Sequence, residues 1–93
     1  MNCAHKGRRA EHRARALLEA AGFAVCRAAG SKGPADLVAW DAVSIRFISV
    51  KSGTTYASAI EREALQLMPI PSNASREVWR FPDRCHAPLI ERL

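Results

Sequence analysis

Two runs of strand-forming residues joined by three residues set the strongest limit on how this chain folds. Leu37 to Trp40 leads into Asp41-Ala42-Val43, and then into Ser44 to Lys51, where Ile45, Phe47, Ile48 and Val50 favour a strand. A connection this short joins neighbouring antiparallel strands and leaves no room for a crossover. The pattern predicts a hairpin turning near Ala42 and Val43, with Asp36 across from Ser49. Side chains alternate along a strand, so Phe47, Ser49 and Lys51 share a face, and Asp36 falls on it too. An acid, a hydroxyl and an amine are expected to converge at one end of the hairpin.

Helices and further strands are expected on either side. Ala10, Ala14, Leu17, Leu18 and Ala21 recur at helical spacing, which predicts a helix over Arg8 to Ala21 stopped by Gly22. Phe23 to Ala28 reads as a short strand, and Ala29-Gly30-Ser31-Lys32-Gly33-Pro34 as a turn. After the Ser52-Gly53 break, Ile60, Ala64, Leu65 and Met68 predict a second helix from about Ala57 to Leu67, ended by Pro69 and Pro71. Glu77 to Phe81 and Leu89 to Leu93 read as a fourth and a fifth strand. Helix, three strands, helix and strand describe an α/β layer, a mixed β-sheet flanked by helices, and the 93 residues suit one domain, 1–93.

Charge narrows the partners. The chain carries a formal +5 and a pI of about 9.7, a balance that suits a polyanion such as nucleic acid. Lys6, Arg8, Arg9, Arg13 and Arg15 crowd the first helix, and Lys32 and Lys51 flank the acidic residues. Three cysteines without C-x-x-C spacing argue against a disulfide framework or a zinc site. No apolar run reaches membrane-spanning length and no signal segment opens the chain, so a soluble, intracellular (cytoplasmic) protein is expected.

Asp36 and Lys51, with Glu11 at the edge of the first helix's apolar stripe, form a set with chemical meaning. Hydrolysing a phosphodiester brings water to a phosphate that repels it. A hard divalent cation held by carboxylates neutralises that charge and acidifies the water, and a nearby lysine orients the water or stabilises developing charge. Taken singly, Asp36 reads equally as a turn cap, Lys51 as a solvated strand end and Glu11 as the i,i+4 partner of Arg15.

An ordered set of short motifs runs through the first half of the chain. It comprises Lys6-Gly7-x-x-Ala10-Glu11, Leu17-Leu18-x-x-x-Gly22-Phe23-x-Val25-x-Arg27, Ala29-Gly30-Ser31, Pro34-x-Asp36-Leu37-Val38-Ala39 and Val50-Lys51-Ser52-Gly53. In these motifs the chain resembles the archaeal-type Holliday junction resolvases of the PD-(D/E)xK nucleases. The resemblance implies a small restriction-endonuclease-like fold, with strand order αβββαβ. It further implies a homodimeric endodeoxyribonuclease of DNA recombination and repair, acting on branched four-way junctions with Mg²⁺ or Mn²⁺. By the same resemblance, Lys51 is the catalytic lysine and Asp36 the central metal ligand. Glu11 is the helix carboxylate near the metal, Ser31 a loop serine near the scissile phosphate, and the Val50 carbonyl a further ligand. Lys6, Arg8, Arg9, Arg27 and Lys32 are the candidate nucleic-acid contacts.

The pattern departs from the family at Ser49, where an acidic residue is usual. A hydroxyl holds a divalent ion more weakly than a carboxylate. Three outcomes follow: Ser49 coordinates weakly or through water, the carboxylate has migrated to Glu61 of the second helix, or the domain binds without cutting. A catalytically impaired binding module and a nuclease of other DNA specificity are the alternatives to a junction resolvase.

Overall fold

A computed structural model describes residues 3–28, 34–53, 56–83 and 87–93, with side chains from residue 8 onward in those ranges. Lys6 (by its side chain), Ser31 and Lys32 lie outside the described residues.

The elements run α1 (Cys3–Ala20), β1 (Ala24–Arg27), β2 (Leu37–Trp40), β3 (Ile45–Ser52), α2 (Ala59–Leu67), β4 (Ala74–Phe81) and β5 (Leu89–Arg92). One sheet takes the order β1-β2-β3-β4-β5. Its pairs are antiparallel except β3–β4, which is parallel and bridged by α2. The hairpin forms as the short connection requires, with Leu37 paired to Ile48 and Trp40 to Ile45. Asp41 closes its turn by accepting from the amides of Val43 and Ser44 at 2.9 and 2.8 Å.

Helix α1 stops where Gly22 turns to a φ of 95°, a backbone shape that only glycine adopts at low cost. The Gly22 amide donates to Glu19 and the Phe23 amide to Leu18, both at 3.0 Å, a Schellman ending. Ala10, Ala14 and Leu18 bury themselves on the sheet against Leu37, Ala39, Ile48, Trp79 and Phe81. Leu17 and Ala21, expected in the same stripe, face outward, Leu17 being 42% exposed. The alanines let the helix approach the sheet closely, and three buried positions one turn apart use up its contact face.

The second face of the sheet carries α2. Here the apolar stripe differs from the expected one: Ile60 is 81% exposed and Ala64 is also exposed, while Leu65 is buried with Val78 and Ala35, flanked by Phe47, Ala57, Met68 and Leu93. A nine-residue helix touches the sheet along one narrow line, and Leu65, lying about 140° around the helix from Ile60, defines it. Ser58 caps the first turn by accepting from the Glu61 amide at 3.1 Å. Met68 ends the helix in an extended conformation, as the residue before Pro69 must.

A polar network lies within the α1-side core. Glu77 is fully buried and accepts from Arg46 twice, at 2.9 and 2.7 Å, from Ser75 at 2.6 Å and from the Trp79 indole at 2.9 Å. The Arg46 guanidinium lies 5.1 Å from the Phe23 ring centre and 5.3 Å from that of Trp79. Burial alone raises the Glu77 pKa. The donors of Arg46, Ser75 and Trp79 outweigh it and bring the value to about 2. Among the described residues no helix is long and apolar enough to cross a membrane.

Candidate active site

Asp36 immediately precedes β2, and its backbone and side chain both fasten it to β3. Its amide donates to the Ile48 carbonyl at 2.8 Å, and its carboxylate Oδ2 accepts from the Val50 amide at 2.7 Å. The regular ladder ends at Leu37–Ile48, so Asp36 is bonded at Ile48 and Val50, to either side of Ser49. A strand amide lies in the plane of its sheet. The carboxylate therefore reaches the β2-side edge of β3 at Val50, one residue before Lys51. Ser49 itself is only 5% exposed.

Lys51 turns instead to α2. Its amine pairs with the Glu61 carboxylate. The placement of Glu61 follows from the burial of Leu65: residues four apart lie on one helix face, so anchoring Leu65 on the sheet aims Glu61 at β3. The hydrogen bond from Lys51 is the largest influence holding Glu61 below the usual carboxylate range, and it outweighs the opposing effect of partial burial. Glu63 is exposed as Glu61 is, and it is Glu61 that Lys51 engages.

Glu11 lies on the other side of the sheet's margin. It pairs with Arg27 of β1 at 3.2 Å, across a cleft of about 180 Å³ that His12, Arg15 and Leu37 also line. Arg15 pairs along the helix with Glu19 at 3.7 Å, not with Glu11. Arg8 and Arg9 are exposed on α1. A second cleft of about 190 Å³ opens beside Lys51, lined by Tyr56, Arg62, Arg80, Leu89 and Glu91 among others. Tyr56 is exposed beneath the Arg80 guanidinium, 4.4 Å from its ring centre, whereas Trp79 and Phe81 are core residues.

The structure thus brings Asp36, Ser49, Val50 and Lys51 together at the end of β3 and adds Glu61 to them, while Glu11 and Arg27 form a separate pair. Among the described residues no three acidic, histidine or cysteine side chains group as a metal site. The donor chemistry nevertheless suits a hard cation, because Mg²⁺ is ordinarily held by one or two carboxylates, waters and substrate phosphates. Sequence reasoning missed Glu77, which reads as an ordinary strand residue. Its only signal was the alternation it shares with Trp79 and Phe81.

Comparison with known proteins places the chain among relatives of one fold. The family described as archaeal Holliday junction resolvase (hjc) matches residues 2–76. A solved structure of Hjc from Archaeoglobus fulgidus, a Holliday junction resolvase from an archaeal hyperthermophile, superposes with a TM-score of 0.79 at 32% identity. That match covers 94% of this chain and 72% of the other. No curated protein sequence matches.

Proposed function

Because the chain belongs to the archaeal Holliday junction resolvase family, and is with it a structure-selective junction endonuclease, we propose that it cuts DNA at the β3 end occupied by Asp36 and Lys51. The observation that carries this reading is the bond from the Val50 amide to Asp36, which fixes an acid immediately before β2 to the β3 residue that adjoins Lys51.

Asp36, its Oδ2 held by the Val50 amide, would be the principal residue holding a divalent cation, Mg²⁺ or Mn²⁺, and the Val50 carbonyl would be a further ligand. Once bound, such a cation neutralises phosphate charge and lowers the pKa of its water. Lys51 supplies a positive charge to the scissile phosphate, stabilising the charge that develops there. The neutral Ser49 contributes at most a weak oxygen. Glu11, tied to Arg27, positions that arginine toward the backbone and lies at the margin of the cation site. By the family's pattern Ser31 and Lys32 would contact the scissile phosphate, and Lys6, Arg8 and Arg9 would hold flanking phosphates. The four strands of a four-way junction are equivalent in symmetric pairs, so a homodimer with two such sites would cut one pair. The protein works inside the cell, where branched DNA forms.

The test is cleavage of a labelled four-way junction beside linear duplex and single strand, with Mg²⁺, Mn²⁺ or EDTA. Paired, metal-dependent cuts confined to the junction support the reading. Junction binding without cuts under any metal identifies a binding module, and cuts in linear DNA identify a nuclease of other specificity.

A further inference from the structure

Building on that reading, we propose that Glu61 is the second carboxylate of the cation site, filling from α2 the place that Ser49 leaves without charge. Three observations converge on it. Ser49 is neutral and buried between the two β3 positions to which Asp36 is bonded. Two positions along the same strand, Lys51 is engaged by Glu61. Glu61 is held in place: Ser58 accepts from its amide in the first turn of α2, and Leu65, one turn on, is buried against the sheet.

The electrostatics explain why a carboxylate is needed there. With Ser49 neutral, Asp36 supplies one carboxylate bonded to the β3 backbone at this end, and a single carboxylate binds a divalent cation weakly compared with two. Glu61 already lies against the strand that carries the proposed ligand Val50 and the amine Lys51. In the free protein its charge is balanced by Lys51. With a cation held there, Glu61 would share its charge with the ion, and Lys51 would be freed toward the phosphate. One side chain thereby compensates for Ser49 and couples cation binding to the availability of the lysine.

The exposed Glu63 on the same helix is the internal control. Mn²⁺ uptake is read from the electron paramagnetic resonance of the free ion, with and without junction DNA, for the wild-type chain, Asp36→Asn, Glu61→Gln, Glu63→Gln and Glu61→Gln combined with Ser49→Glu. The expected result is at least roughly tenfold weaker uptake in Glu61→Gln, unchanged uptake in Glu63→Gln, and recovery when Ser49→Glu is added. Thermal unfolding of each variant confirms that it is folded. Wild-type uptake that Asp36→Asn abolishes but Glu61→Gln leaves unchanged overturns this inference alone. Uptake that neither change affects, or none in the wild type, overturns the cation site itself.

Discussion

Arg46 and Glu77 meet across the parallel β3–β4 pair through two hydrogen bonds of 2.9 and 2.7 Å, with the carboxylate wholly buried and the arginine side chain only 17% exposed. The two residues are 31 apart in sequence, and their bond fixes the strands that carry the site. Removing one member of such a pair leaves the other buried and unbalanced, which costs far more than the pair contributes as a whole.

Glu77→Gln should therefore lower unfolding stability by about 3 kcal/mol and the thermal midpoint by more than about 10 °C. Urea titration and thermal melting check this. A loss below about 1 kcal/mol would mean that Arg46 escapes to solvent when its partner is neutral.

The same carboxylate predicts an acid limb in stability. Its folded-state pKa of about 2 lies below the ordinary 4.5, so its contribution is complete above about pH 4.5 and disappears as pH falls through about 2. That interval corresponds to about 3 kcal/mol. Urea unfolding at pH 7, 4.5 and 3 should show the wild-type advantage over Glu77→Gln shrinking toward acid. A constant difference between the two would contradict the assignment.

Leu65 is the one buried residue of α2, so Leu65→Ala should cost about 2–4 kcal/mol and loosen the helix that holds Glu61 against Lys51. Hydrogen exchange is the direct probe. Amides of α2 should lose protection well before those of α1, whose face rests on Ala10, Ala14 and Leu18.

Asp36→Asn keeps an oxygen to accept from Val50 but loses the charge. It should leave the fold and junction affinity intact and reduce cleavage by more than roughly 100-fold, since even partners that only orient a metal's ligands are worth 10–100-fold. Measurable cutting near the wild-type rate would remove Asp36 from the cation site.

Arg8→Ala together with Arg9→Ala should weaken junction and duplex binding alike and lower the slope of log affinity against log salt by about 2, the signature of two lost phosphate contacts. Fluorescence anisotropy across a salt series measures it. An unchanged slope would place the DNA elsewhere.

What the sequence determined by itself was local. The three-residue connection dictated the antiparallel hairpin, Gly22 the end of α1 and Pro69 the end of α2. Each depends on a few neighbouring residues whose backbone preferences act wherever the chain is placed. The ordered motifs from Lys6 to Gly53 carried the family likewise.

The tertiary structure decided which of the marked side chains meet. Whether Ile60 or Leu65 would face inward depended on the shape of the sheet surface under α2, and that choice set Glu61 against Lys51. Asp36 turned to the Val50 amide because a strand edge with free donors lay beside it once β3 was formed. Glu77 was buried as an ion because Arg46, Ser75 and Trp79 arrived together in the β3–β4 register. These pairings join residues 10, 14 and 31 positions apart. Such contacts arise only when sheet pairing and helix packing bring distant segments together, and no periodicity within either segment encodes them.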